Sequence, residues 1–241
     1  MAITVTQHKS GTSVVSATTV AVTVTALGAG HLIVVGCSNG GTRTVVSVSD
    51  GTNTYTQGAS CAANANTAAD NTDLWYCLVS ASGPTTVTVT FSGAAGTFSK
   101  QAEVWEVAGF TSPVVDVHNI VNNTQQTNGD DVGASVTTTA TAGFVAGIVR
   151  TATSGSISAN PKAANEFTSG GDIPETHVGA VSLISATAAA HQPVWSDGNS
   201  FINYCASTIA FKEGSSGPTT AQEIPIFDQQ ASGQMVGLQW K

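Results

Sequence analysis

The sequence predicts an all-β protein, built as a single large two-sheet β-sandwich of the jelly-roll kind over residues 1–212. Short runs of the chain alternate apolar and polar residues, which is the two-residue period of a half-buried strand. Turn signals rich in Gly, Asn and Asp separate these runs every 8–12 residues or so. Helical apolar stripes are nearly absent, so strands account for the pattern.

The first strands have the clearest pattern. In TTVAVTVTAL (18–27), Val20, Val22 and Val24 fall on one face of a predicted strand. HLIVVG (31–36) follows as a continuous apolar run, which is typical of a strand buried on both faces.

The next segment, TRTVVSVSDGTNTYTQ (42–57), predicts a hairpin. Its first strand is expected to direct Val46 and Val48 inward. Asp50-Gly51 is the strongest short hairpin signal, because a type I′ turn needs positive φ at both central residues. The segment offers no base, nucleophile or ligand cluster, and we expect it to hold a surface.

The remaining strands of the first half follow in order. They are predicted in LWYCLVS (74–80), in TTVTVTFSG (85–93), and in QAEVWEVAGF (101–110). The middle strand places Val87, Val89 and Phe91 on one face.

The second half resembles the first in its order of strands. VTTTATAGFVAGIV (136–149) is similar to VTVTALGAGHLIVV (22–35), and FINYCASTIAF (201–211) ends the second half as FSKQAEVWEVAGF (98–110) ends the first. One interpretation is a pseudo-duplicated strand arrangement. The other is that Thr- and Val-rich strand pairs look alike by composition alone.

The composition changes after Lys212. EGSSGPTTAQ (213–222) has the Gly, Ser, Pro and Thr content of a linker. We expect the apolar tail beyond it to fold back on the domain or to dock on a neighbour. The predicted docking residues are Ile224, Ile226, Phe227, Met235, Leu238 and Trp240.

Charge argues against two classes of partner. Only 9% of the residues are charged, against roughly 25% in an average domain. The net charge is −8 with seven basic residues, which disfavours nucleic acid and anionic membrane. The sequence shows no leader pattern and no long apolar span, so we expect synthesis and folding in a cytoplasm.

The four cysteines lack C-x-x-C spacing, which argues against a zinc ribbon. Cys37 and Cys205 lie in apolar strand-like runs and are expected to be buried free thiols. Cys61 and Cys77 flank a polar loop; a disulfide between them and two free thiols are both open interpretations.

No catalytic, metal or cofactor site is predicted, and the protein is not expected to be an enzyme. G-x-S-x-G and H-E-x-x-H motifs are both missing. Glu103 and Glu106 have odd spacing on one strand, so they face opposite ways and cannot form the carboxylate pair of a glycosidase. Glu103 shares its face with Trp105, and the favoured interpretation is a solvated edge with a partly covered tryptophan.

Several of these motifs occur together in a known module. VSVSDGTNTYTQ, LWYC, TTVTVTFSG, AEVWEVAGF and STIAFK, in this order, resemble a repeated module of bacterial surface proteins and phage virion proteins. The resemblance covers residues 14–212. It implies a jelly-roll-like sandwich used for display, assembly or adhesion, with no catalytic residues.

The chain departs from this module in lacking a leader pattern and in having the apolar tail, and both departures favour a virion structural protein: a phage capsid decoration (cement) protein, or a related head or tail component. Such a protein would be made in the host cytoplasm and assemble with itself and other virion proteins through the tail. The alternative is a carbohydrate- or receptor-binding module of a tail fibre or adhesin, with Trp105, Trp195 and Tyr55 as exposed ligand-binding aromatics. A glycan-active enzyme is the weakest interpretation.

Overall fold

The computed structural model describes residues 2–13, 16–41, 43–61, 70–93, 100–123, 130–140, 142–151, 167–169, 178–196 and 204–214. Within these ranges every regular element is a β-strand, which confirms the all-β prediction. The same ranges contain no helix long and apolar enough to cross a membrane. The six predicted docking residues between Ile224 and Trp240 lie outside the described residues.

Residues 2–110 form two antiparallel sheets. The first inner sheet has the order β1-β8-β3-β6-β5, and the outer sheet has the order β2-β7-β4. The strands are β1 (Thr4–Ser13), β2 (Thr19–Thr23), β3 (Leu32–Gly40), β4 (Val45–Ser49), β5 (Thr56–Cys61), β6 (Asp70–Leu78), β7 (Thr86–Phe91) and β8 (Lys100–Ala108).

Residues 113–214 form a second five-stranded antiparallel sheet and two short strand pairs. The second inner sheet has the order β9-β17-β12-β14-β13, and the pairs are β10-β16 and β11-β15. The strands are β9 (Pro113–Asn123), β10 (Asp130–Val132), β11 (Val136–Thr137), β12 (Gly143–Thr151), β13 (Thr168–Ser169), β14 (Val178–Ser185), β15 (Ala190–His191), β16 (Val194–Ser196) and β17 (Tyr204–Glu213).

The two halves repeat one strand order. Strands β1-β8-β3-β6-β5 of the first half correspond in sequence order to β9-β17-β12-β14-β13 of the second. The pair β2-β7 likewise corresponds to β11-β15. The predicted pseudo-duplication is confirmed, because composition alone would not reproduce the pairing order of a whole sheet.

The structure has more layers than the two-sheet sandwich that the sequence predicted. A first core lies between the outer sheet and the first inner sheet, and a second core lies between the two inner sheets. A third core lies on the far face of the second inner sheet, under the short strand pairs. The single two-sheet arrangement is not confirmed, because β3, β12 and β17 bury nearly every residue on both faces. Such strands need a layer on each side.

The predicted hairpin at Asp50-Gly51 is also different. Strands β4 and β5 belong to different sheets, and a bridge between Ser49 and Thr54 closes a four-residue loop between them. Gly51 has φ +82°, and the Asp50 carboxylate accepts the backbone N–H groups of Thr52 and Asn53 at 2.8 and 2.7 Å. The segment turns the chain between two layers instead of closing a type I′ hairpin.

One residue of β4 faces the wrong way for the prediction. Val48 is buried, but Val46 is 58% exposed. The register of β4 against β7 shifts between Val45 and Ser47, which is the mark of a β-bulge. A bulge inserts one extra residue, so it breaks the alternation that the sequence pattern assumes.

Candidate functional site

Two carboxylates of β8 each take part in several hydrogen bonds with neighbouring groups. Glu103 and Glu106 face opposite sides of the first inner sheet: Trp105 and Val107 on the Glu103 side line the second core, while Ala102 and Val104 on the Glu106 side line the first. The prediction of opposite faces is confirmed. The expected solvated edge is wrong, because β1 pairs along the whole of β8 and covers it.

Glu103 is enclosed by side chains of its own sheet. Its carboxylate accepts Ser10 Oγ and Gln101 Nε2, both at 2.5 Å, and lies 2.9 Å from His8 Nε2. The His8 ring stacks on Trp105 with 4.5 Å between the ring centroids. Glu103 is fully buried, so these contacts fasten β1 to β8 and leave no room for a substrate.

Glu106 forms a similar cluster on the other face. Its Oε1 lies 2.8 Å from the Gly28 amide and 2.7 Å from His31 Nδ1, and Gln7 Nε2 donates to its Oε2. Burial raises the pKa of this carboxyl group, but the bonds from Gly28, Gln7 and His31 outweigh burial and hold the pKa below its ordinary value. Glu106 is therefore an ionised anchor that ties β1 and residues 28–31 to β8.

One end of the second core is polar. Arg150 of β12 is almost fully buried and donates from Nη1 to Ser38 Oγ of β3 at 3.2 Å. Beside them, Thr72 of β6 and Ser207 of β17 share a hydrogen bond of 2.9 Å. These bonds cross between the two inner sheets and satisfy groups that would be costly to bury alone.

A disulfide joins the two inner sheets at this polar end. Cys61, at the end of β5, is bonded to Cys205 of β17, 144 positions further along the chain. The possible Cys61–Cys77 pair and the expected free thiol at Cys205 are both wrong, because Cys77 points into the first core on the other face of the sheet. Cys37 is a buried free thiol as predicted.

The second free thiol is unsuited to surface chemistry. Cys77 is buried, and burial raises the pKa of its thiol to about 12. A thiol with so high a pKa is protonated at neutral pH and is a weak nucleophile.

The three aromatics predicted to bind a ligand are buried, so their expected exposure is wrong. Trp105 and Trp195 are 0% exposed and Tyr55 is 8% exposed. Trp105 fills the second core, Trp195 fills the third, and Tyr55 lies in the first core with its hydroxyl 3.1 Å from Asp50. Because they are buried, a sugar ring has no access to any of them. The sequence did not predict this, because two-residue alternation does not reveal whether a further layer covers a face.

Two grooves open on the described surface. One, of about 300 Å³, lies between the edge strands β5 and β9 and is lined by Gln57, Ser60, His118 and Ile120, among others. The other, of about 450 Å³, lies where the halves meet and is lined by Ile3, Thr111, Ala142 and Glu213, among others. Neither holds a carboxylate pair, and the described residues contain no group of three side chains suited to a metal ion.

The end of β17 is fixed beside the start of β9. The Glu213 carboxylate accepts the backbone N–H groups of Thr111 and Ser112, and the Gly214 N–H donates to Ser112 O at 2.8 Å. These bonds fix Gly214 beside the start of β9, and the predicted linker and apolar tail lie outside the described residues. The sequence predicted a linker here but gave no indication of its anchor.

The chain matches no protein-family model, no curated protein and no solved structure. The resemblance to phage virion and bacterial surface modules therefore depends on its sequence motifs alone.

Proposed function

We propose that the protein is a structural component of a phage particle, a capsid decoration protein or a related head or tail component. In this proposal the layered body is a rigid display element, and the apolar tail docks on a neighbouring subunit. The observation that carries the proposal is the exit point at Gly214, which lies beside the first residues of β9.

Strand β9 supplies the surface for such docking. It forms one edge of the second inner sheet, and its Val114 and Ile120 side chains are exposed. An edge strand presents unpaired backbone groups that favour pairing with another chain. Gly214, the last described residue before the predicted tail, lies next to this edge, so a subunit docked there would be near both the edge and the start of the tail.

The chemistry of the body supports a structural role over a catalytic one. Glu103 and Glu106, the two carboxylates of β8, are buried and closed off by their partners. The low content of charged residues suits interfaces built from neutral groups. The Cys61–Cys205 disulfide suits a particle that persists in an oxidising environment after release from the cell.

The carbohydrate-binding alternative receives less support. The large hydrophobic side chains exposed on the described surface are aliphatic: Val5, Val46, Leu78, Val114, Ile120 and Ile184. Aliphatic side chains do not offer the flat ring face on which a sugar stacks. They do offer apolar area for a protein interface.

Size-exclusion chromatography with light scattering tests the proposal on the full chain and on a chain that ends at Gly214. We expect a defined oligomer for the full chain and a folded monomer for the shorter one, because the tail buries its apolar side chains against a neighbour. Circular dichroism checks that the shorter chain keeps its strand signal.

A matched pair of full-length variants separates apolar docking from a charge effect. I226D with F227D removes two apolar side chains and adds two charges, whereas Q229D with Q230D adds the same charges without that loss. We expect only the first variant to be monomeric. A monomeric full chain, or an oligomer that survives removal of the tail, contradicts the proposed assembly.

A further inference from the structure

A row of polar side chains lies at one end of the first inner sheet, facing the first core. Lys100 of β8 pairs directly with Asn39 of β3, and Asn39 pairs on its other side with Asn71 of β6. Residues directly opposite in antiparallel strands point to the same face, with Cβ atoms about 4.5–5.5 Å apart. An amine and two carboxamides therefore lie side by side.

Lys100 is held inside the protein. It is 0% exposed, its ammonium group lies 5.7 Å from the centroid of the Phe91 ring, and Nζ donates to Ala17 O at 2.5 Å. Burial, with a smaller contribution from Arg43, lowers the pKa of this lysine. Both effects favour the neutral amine, which is the nucleophilic form.

Asn39 is held in one orientation. Its Nδ2 donates to Arg43 O at 2.5 Å and is 3.4 Å from Gly41 O. Its Oδ1 is buried and has no hydrogen-bond partner within the described part of the chain. An orphaned buried acceptor is costly, and this one belongs to the carbonyl that a neighbouring amine would attack.

A carboxyl group lies one cross-strand step further along the same face. Asp73 of β6 pairs with Cys37, two residues before Asn39 on β3. Burial raises the pKa of Asp73 and outweighs the bonds from Ser60 and Gln57, which lower it. A protonated carboxyl group can donate a hydrogen bond to a carbonyl oxygen, as the orphaned Oδ1 requires.

We propose that Lys100 and Asn39 form an intramolecular isopeptide bond. Lys100 Nζ turns from Ala17 O and attacks Asn39 Cγ, while Asp73 donates a proton to Oδ1 in the tetrahedral intermediate. The intermediate returns that proton, the Cγ–Nδ2 bond breaks, and the proton lost from Nζ leaves with Nδ2 as ammonia. One amide replaces another, so the step needs no oxidant, reductant or cofactor.

The bond would fasten two central strands of the first inner sheet. Strands β3 and β8 are 60 residues apart in the chain, and each contributes to the first and the second core. A covalent link there would join the two strands at the end of the described sheet near Ala17. The inference does not depend on the proposed role in a particle.

The intact mass of the reduced full chain tests the bond first. We expect the mass to be lower than the sequence mass by one molecule of ammonia. A mass equal to the sequence mass overturns the proposal. This measurement uses the natural chain, so it does not depend on whether a variant folds.

Tryptic peptides identify the partner of Lys100. The sequence places Asn39 in peptide 10–43 and Asn71 in peptide 44–100. An isopeptide bond blocks cleavage after Lys100, so we expect peptide 10–43 joined covalently to 44–150. An ammonia loss without this joined peptide overturns the assignment to Asn39.

Variants test the roles of the three residues. K100M and N39A are expected to restore the full sequence mass, whereas K9M, which removes an exposed lysine, is expected to keep the ammonia loss. D73N is expected to leave most of the chain unlinked. An ammonia loss that survives in K100M contradicts the proposal, and full linkage in D73N contradicts the role of Asp73.

Discussion

The two halves of the molecule have the same inner sheet but cover it differently. In the first half, a continuous three-stranded sheet contributes a ladder of valines: Val20, Val22 and Val24 from residues 20–24, and Val87 and Val89 from β7. In the second half, two short strand pairs cover the sheet, and the largest side chain of the core beneath them is Trp195.

Glycines make room for that tryptophan. A Cβ atom added at Gly179 would lie 2.5 Å from Trp195 Cδ1, and one added at Gly133 would lie 2.9 Å from Trp195 Cζ3. A ladder of valines in one half therefore corresponds to a core that contains a large tryptophan in the other. The comparison shows that the strand order of the inner sheet tolerates two ways of filling its outer face.

The halves also differ in buried charge. Strand β8 carries Glu103, Glu106 and Lys100, whereas the equivalent β17 buries small residues over most of its length. Cys205 and Ser207 of β17 face the first inner sheet, and the disulfide joins the two inner sheets at this point.

Loss of the disulfide is expected to have the largest effect on stability. The double variant C61S with C205S should lower the free energy of unfolding by up to about 5 kcal/mol, because the bond closes a very long loop in the unfolded chain. Urea unfolding with and without reductant measures this. C77S is the matched control; if it shows the same loss, the cross-link is not what stabilises the contact between the halves.

Single core truncations should separate the two ways of filling an outer face. W195A should cost about 3–5 kcal/mol, because it leaves a large cavity beside Gly133 and Gly179. V22A removes one rung of a ladder and should cost about 2 kcal/mol. The two losses are compared from the urea midpoints of W195A and V22A at equal m-values. Equal losses in the two variants would contradict the difference between the two cores.

The Glu106 cluster should give a pH-dependent contribution of intermediate size. Its folded-state pKa is lowered, so the stabilisation is present above the unfolded value of about 4.3 and is lost as the pH falls through the folded value. E106Q should therefore be less stable than the natural chain at pH 7, and the difference should shrink in acid. Thermal unfolding from pH 7 to 3 tests this; a difference that grows in acid contradicts the sign.

The bulge in β4 should give the smallest effect. V46T changes an exposed side chain and should alter stability by less than about 0.5 kcal/mol. V48T places a hydroxyl group in the first core and should cost about 1–3 kcal/mol. A larger loss of stability in V46T than in V48T would show that Val46 points inward, as simple alternation predicts.

Sequence patterns predicted the features that depend on neighbouring residues. Strict alternation identified the buried faces of Val20, Val22, Val87 and Val89, and the odd spacing of Glu103 and Glu106 placed them on opposite faces. The pattern failed at Val46, where a bulge adds one residue to the strand.

Features that depend on a third layer were not predictable. Alternation tells which side chains share a face, but it does not tell whether another sheet covers that face, so Trp105 and Trp195 were expected at the surface. The Cys61–Cys205 bond likewise joins residues that only the packing of two sheets brings together.

Hydrogen exchange of the full chain, measured by mass spectrometry of its peptides, most directly tests the claim that the two halves fold as one unit. We expect the amides of β3, β8, β12 and β17 to exchange slowest and on one common timescale, because the second core joins both inner sheets into one cooperative unit. Uniformly fast exchange over residues 113–214, beside continued protection of residues 2–110, would show two independent domains and contradict the account.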